Sequence, residues 1–368
     1  MLRAYINTRI FTGDLWLDGY AVLTENGRIQ HVLPQAQVPE NAELTDLKGD
    51  ILAPAFIDLQ IYGGNGKLFP LTPDTATLKA TYEYCQSGGA AYFMPTIPTH
   101  SSEVISKSIE AVRQYWQEGG QGVLGLHLEG PFINAEKKGA HLPQYIKRPS
   151  AADIDQLLKQ GEGIIKMMTL APECVDADLI KRLQDAGILV SAGHSNADYT
   201  TAYQSFENGI TTTTHLFNAM SPFQHRAPGL VGAIYDHPTV HASIVPDGIH
   251  VDFAALRVSK KIMGERLFLI TDAVVATNEG DYIYVEETDR YNNAQGVLAG
   301  SKLTMHKGVQ NCIKAACILP EEALRMASLY PATVAGRADE LGKIAPGYTS
   351  AMVVLDTNWD FKQLIGLS

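Results

Sequence analysis

The sequence predicts an α/β protein: a TIM-like (β/α)8 barrel with a small β-sandwich domain built from both termini. Eight runs rich in apolar and β-branched residues recur between positions 51 and 272: ILAPAFIDLQ (51–60), AAYFMPTI (90–97), VLGLHLEG (123–130), IIKMMTLA (164–171), ILVSAGH (188–194), ITTTTH (210–215), HASIVPD (241–247) and RLFLITD (266–272). Most are continuously apolar rather than alternating, the pattern of parallel strands buried on both faces. Helix-compatible stretches fill most of the gaps, among them ATYEYCQSG, SSEVISKSIEAVRQYWQEG, DADLIKRLQDAG and FAALRVSKKIMG. An eightfold alternation of this kind favours a closed barrel over an open doubly wound sheet. Four of the runs also close on a side chain able to bind a metal or carry a proton: Glu129, His194, His215 and Asp272. The strand ends of a parallel barrel share one mouth, so these four are expected to meet there.

At 368 residues the chain has room for a barrel and a satellite. Apolar content of 45%, charge content of 19% and the lack of a low-complexity tract argue against disorder. A net charge of −11 argues against general binding to nucleic acid or anionic membranes, while leaving space for one local anion pocket. Cys85, Cys174, Cys312 and Cys317 have no paired CxxC spacing and read as reduced thiols of a cytoplasmic protein. The opening MLRAYINTRIFTGD is too interrupted for a signal peptide. No apolar run reaches the roughly 20 residues of a membrane span.

Taken in order, the elements begin with short strands and hairpins up to about residue 50. Asn26-Gly27, between YAVLTE and RIQHVL, marks a two-residue hairpin, because both central positions of such a turn need positive φ. The far end has the same character, with a turn at Pro346-Gly347 and the strand-like AMVVLD. Residues 1–52 and 346–368 are therefore expected to form the small domain and 53–345 the barrel. The first barrel strand ends in Gln60-Ile61-Tyr62, where barrel hydrolases with two metals often carry His-x-His. Gln60 is placed to contact a water on a bound ion, and Gly63, Gly64 and Gly66 mark a tight loop.

Glu129 stands where the third strand gives way to a Gly-Pro turn. A carboxylate buried there without a partner would cost several kcal/mol, so a cation should face it, either a metal or Lys137 or Lys138. His127, on the same strand face, reads as a packed or supporting residue, and His141 can lean over the pocket to donate to an oxyanion. His194 sits among small residues, and His215 ends the next strand. One carboxylate and two imidazoles suffice for a divalent cation, leaving Asp272 across the mouth to move protons. Asn218, Arg226 and the backbone around Ala219 suit a phosphate, and His250 offers a further anion or hydroxyl ligand. Asp247 is read as shaping the turn before His250; His225 and His237 are read as surface or supporting residues without chemistry. From Asp272 to about residue 300 the chain is polar and turn-rich, an excursion expected to cover the pocket.

The segments HLEGPF with KKGAH, SAGHSNA, THLFNAM, RAPGLVGAI, DGIHV, LITDA and LAGSKLTM follow one another as in the N-acetylglucosamine-6-phosphate deacetylases of the amidohydrolase superfamily, which the chain resembles over nearly its whole length. The resemblance implies hydrolysis of the acetamide of N-acetylglucosamine-6-phosphate to glucosamine-6-phosphate and acetate. It makes Glu129, His194 and His215 metal ligands, Asp272 the catalytic acid/base and His141 a contact to the acetyl carbonyl. It places Asn218, Ala219, Arg226 and His250 around the sugar phosphate, with Arg226 reaching the neighbouring active site of a homodimer. Gln60 and Tyr62 depart from the two-metal pattern, which implies one divalent ion per subunit, Zn²⁺ or Fe²⁺. Another deacetylase or cyclic amidase of the superfamily would not require the anion set. An inactive sugar-phosphate-binding barrel would not require Asp272.

Overall fold

A computed structural model describes residues 1–367. The barrel strands are β1 (Phe56–Ile61), β2 (Ala90–Pro98), β3 (Leu126–Glu129), β4 (Ile165–Leu170), β5 (Leu189–Ala192), β6 (Thr212–Thr213), β7 (His241–Ile244) and β8 (Leu267–Leu269), each parallel to the next. The helices that follow them are α1 (Thr75–Ser87), α2 (Ser102–Gln117), α3 (Ala151–Gly161), α4 (Ala177–Asp185), α5 (Tyr199–Glu207), α6 (Gly229–Asp236), α7 (Phe253–Met263) and α8 (Met305–Lys314). Several start where a side-chain oxygen accepts a first-turn N–H, as Asp74, Ser101, Ser150 and Asp198 do for α1, α2, α3 and α5. The barrel closes just past β8 through a parallel bridge between Ile61 and Ala273, with the Asp272 N–H on the Gln60 carbonyl at 2.9 Å. The expected eightfold architecture is thus present, although β6 and β8 keep only two and three residues in the ladder.

The run 51–60 is two strands rather than one. Ile51–Pro54 belongs to the small domain, antiparallel to Met352–Leu355 and parallel to Arg9–Phe11, and straddles the expected 52/53 division. At Ala55 the chain crosses into β1, where the Phe56 N–H bonds the Gly89 carbonyl at 2.9 Å. The small domain has two sheets, one of four strands from the first 46 residues and one of five that includes the C-terminal pair. Tyr5, Val22 and Ile29 of the first pack against Ile10, Leu52, Met352 and Val354 of the second, which makes the sandwich. Asn26 and Gly27 take φ of 51° and 71°, as the hairpin turn requires.

The closing seam holds a fully buried carboxyl, Asp58, which accepts from the Thr271 N–H at 3.1 Å, the Gln60 N–H at 3.3 Å and the Thr271 hydroxyl. Burial pushes its pKa up to about 6, with the hydrogen bonds only partly countering. The folded state therefore holds this proton more tightly than the unfolded chain, and the stability it contributes below the usual carboxylate pKa is lost as pH rises through 6. Between pH 4 and 7 that loss is about 2 kcal/mol. Asp58→Asn, which cannot titrate, is expected to gain about that much relative to wild type across the interval in denaturant unfolding. Parallel pH profiles for the two proteins would show that Asp58 does not titrate there.

Candidate metal centre

Glu129 ends β3 in register with Pro98 on one side and Thr169 on the other, so its carboxylate is fixed at the barrel mouth and only 2% exposed. Neither Lys137 nor Lys138 pairs with it. Among the described residues its ionic partners are His141, His194 and His215, at 3.0, 3.3 and 2.9 Å. Burial alone would push this carboxyl up, but His194 and His141 override it and hold it well below the ordinary carboxylate range.

Three imidazoles thus face one carboxylate, and their hydrogen bonds sort them. His194 Nδ1 lies 2.9 Å from the Lys137 carbonyl, which can only accept, so in the neutral ring Nε2 keeps its lone pair. His141 is the opposite case: its Nδ1 accepts the Thr99 N–H at 3.2 Å, so Nε2 carries the proton and donates to Glu129 Oε2 at 3.0 Å. Glu129, His141 and His194 do bring potential ligand atoms within 4.8 Å of one another. The tautomer nevertheless makes His141 a donor; His215, whose Nδ1 has no partner among the described residues, brings Nε2 to 3.0 Å from His194 Nε2 and 2.9 Å from Glu129 Oε1 and is the candidate for the third position. Separations of 2.9, 3.0 and 3.3 Å among Glu129 Oε1, His194 Nε2 and His215 Nε2 approach the edge of about 3.3 Å expected for tetrahedral ligands some 2.0 Å from zinc. These residues fit a divalent ion.

Asp272 lies beyond β8 and lines the same hollow as these residues, together with Asn218, Ala219 and His250. Burial, then the negative charge of Glu129, pushes the Asp272 carboxyl up to about 8. A cation on the neighbouring donors would pull it back down. His194, His215 and Asp272 all adopt left-handed backbone, with φ of 47°, 38° and 53°. Such conformations are strained in non-glycine residues and persist where the surroundings over-determine them.

From the sequence, Gln60 is expected to contact a water on a bound ion, and Tyr62 stands where two-metal hydrolases carry a ligand. In the structure Gln60 Nε2 reaches Asp272 Oδ1 at 2.8 Å and Glu129 Oε1 at 2.9 Å, so one amide spans both carboxylates. The Tyr62 hydroxyl donates to Glu129 Oε2, and burial, then Glu129 and Asp272, push its pKa far up and keep it protonated. Asp247 shapes its turn, as expected, by accepting the Ile249 and His250 N–H groups at 2.8 Å each, and it also orients the His250 ring through Nδ1 at 2.6 Å. The excursion after Asp272 covers the hollow with Tyr282, Tyr284 and Ala299 and is pinned by Tyr282 Oη on the Thr99 carbonyl at 2.7 Å. No periodic signal marked Thr99, Tyr282 or Tyr284. His237 is a correction to the surface option: it is buried between Tyr203 and Phe206 and pairs with Glu207. Arg226 is exposed and lines a separate surface hollow with Asp198 and Tyr199, away from the mouth of its own barrel.

The family model described as Amidohydrolase family matches residues 51–365, and that described as NagA composite domain matches residues 3–52. The chain is 36% identical to the N-acetylglucosamine-6-phosphate deacetylase of Haemophilus influenzae over 100% of its length and 97% of the relative's. It is 32% identical to an N-acetylgalactosamine-6-phosphate deacetylase of Escherichia coli O157:H7, over 97% and 96% respectively. A crystal structure of N-acetylglucosamine-6-phosphate deacetylase from Pasteurella multocida superposes with a TM-score of 0.94 at 33% identity, covering 99% of this chain and 98% of that one. With both halves of the architecture matched and the mouth of the barrel furnished as described, the chain belongs to the N-acetylglucosamine-6-phosphate deacetylase family of the amidohydrolase superfamily.

Proposed function

We propose that the protein hydrolyses the acetamide of N-acetylglucosamine-6-phosphate to glucosamine-6-phosphate and acetate, using one divalent ion, Zn²⁺ or Fe²⁺, held by Glu129, His194 and His215. The observation that carries this reading is the convergence of Glu129 Oε1, His194 Nε2 and His215 Nε2 beside a protonated His141 Nε2 and the buried Asp272 in one hollow. A divalent ion held by Glu129, His194 and His215 would supply Lewis acidity to the attacking water and to the amide carbonyl. Asp272 receives the proton of the attacking water and returns it to the departing amine. The His141 Nε2–H, which donates to Glu129 Oε2, lies where it can meet the acetyl oxygen as charge develops, a contact worth about 3 kcal/mol in comparable sites.

Asn218 Nδ2 is buried with no partner among the described residues and is free to bind a sugar hydroxyl or phosphate beside the Ala219 backbone and His250. Arg226, exposed and in no ion pair among the described residues, fits a homodimer in which it reaches the phosphate in the neighbouring site. Arg226→Ala is expected to raise KM for the phosphorylated sugar at least tenfold and to leave unphosphorylated N-acetylglucosamine almost unaffected. Equal effects on both would count against the phosphate role. The galacto epimer is the second reading, supported by the relative at 32% identity. Cytoplasmic residence is the companion reading, supported by four free thiols.

Acetate release from the gluco and galacto phosphates and from plain N-acetylglucosamine, with metal content measured in the same preparation, tests the assignment. Absence of release from either phosphorylated sugar by metal-loaded protein would sink it.

A further inference from the structure

Next to the candidate ligands runs a buried chain of hydroxyls and one imidazole that the proposed reaction does not use. His127 of β3, Thr169 of β4, Ser191 of β5 and Thr214, just past β6, are all fully buried. His127 Nδ1 is 3.1 Å from the Leu59 carbonyl of β1; a carbonyl only accepts, so Nδ1 carries the proton and Nε2 must accept. Nε2 takes the Thr169 hydroxyl at 2.8 Å. With that proton committed, Thr169 accepts from Thr214 at 2.7 Å, and Thr214 from Ser191 at 2.6 Å. One direction therefore satisfies every link, from Ser191 through Thr214 and Thr169 to His127 and Leu59.

The chain touches each ligand-bearing strand end. Glu129 lies two residues beyond His127, and His215 directly follows Thr214. His194 follows Gly193, which rests on the same hydroxyl residues: a Cβ there would stand 2.7 Å from Thr169 Cγ2 and 3.0 Å from Thr214 Cβ. Barrel interiors are ordinarily filled by branched aliphatic side chains, which pack but do not fix the height of one strand against the next. Directional hydrogen bonds do, and a fully satisfied buried network rigidifies what it joins. The left-handed backbone of His194 and His215 needs such support.

We infer that the Ser191–Thr214–Thr169–His127 chain is a positioning layer that sets the relative heights of the strand ends carrying Glu129, His194 and His215 and so presets the metal site. This rests on the ligand assignment above. Thr214→Val keeps the side-chain shape and removes the central hydroxyl, whereas Thr214→Ser keeps the hydroxyl. Competition against a chelating dye is expected to show zinc binding weakened about 10- to 100-fold in Thr214→Val and within about threefold of wild type in Thr214→Ser. The gap in Tm between zinc-loaded and metal-free protein should shrink in the valine variant alone. A merely structural role would lower both Tm values equally and leave zinc affinity unchanged, and that result overturns the inference. If Thr214→Val does not fold, Thr169→Val against Thr169→Ser puts the same question one strand away, with the same two outcomes. Wild-type protein that binds neither zinc nor Fe²⁺ would sink the ligand assignment and this layer with it; wild type that binds zinc no better than Thr214→Val would sink the layer alone.

Discussion

Asp272→Asn is expected to keep its bound metal, to change KM only a few-fold, and to lose about three to four orders of magnitude in kcat. Asp272 is held in place from several directions. Its N–H bonds the Gln60 carbonyl at 2.9 Å, its own carbonyl accepts the Ser301 N–H at 2.8 Å, and Gln60 Nε2 occupies Oδ1. The second carboxylate oxygen makes no hydrogen bond among the described residues and is free to meet a water in the hollow. Burial and the charge of Glu129 raise the pKa of this carboxyl, and a cation on the neighbouring donors would lower it again, toward the ionised form that can take up a proton. Asparagine retains the shape and the bond to Gln60 after an amide flip, but it cannot take up a proton. Turnover at the wild-type rate in metal-loaded variant would remove Asp272 from the mechanism.

Glu129→Gln is expected to fail at an earlier stage, binding zinc on the order of 100-fold or more weakly and showing no turnover at metal concentrations that saturate wild type. Glu129 is the only charged member of the proposed ligand set and the hub of the site: Oε1 faces His215 and Gln60, and Oε2 faces His141 and Tyr62. Replacing it with an amide removes the negative charge and puts donor hydrogens against Gln60 or Tyr62, which are themselves donors there. Metal analysis separates the two variants, since one should be loaded and inactive and the other empty and inactive. A Glu129→Gln protein that retains a full equivalent of zinc would move the ligand role elsewhere, with His141 the next candidate by distance.

The barrel was legible in the chain because parallel strands buried on both faces must be apolar throughout, and because a side chain that ends such a strand has one direction to point. That logic places Glu129, His194, His215 and Asp272 at the mouth from the sequence alone. Residues 51–54 read in the sequence as part of the first barrel strand, since an apolar run looks the same in either sheet and only pairing with Met352–Leu355 assigns them to the small domain.

The tautomers that separate His141 from His194 depend on the Thr99 N–H and the Lys137 carbonyl, and the bridging role of Gln60 depends on Glu129 and Asp272 lying within reach of one amide. Residue type and periodicity thus determined which groups stand at the mouth. Which of them accepts, which donates and which is held under backbone strain was decided by the tertiary structure, because a proton's position is set by the partner across the gap and that partner is remote in sequence.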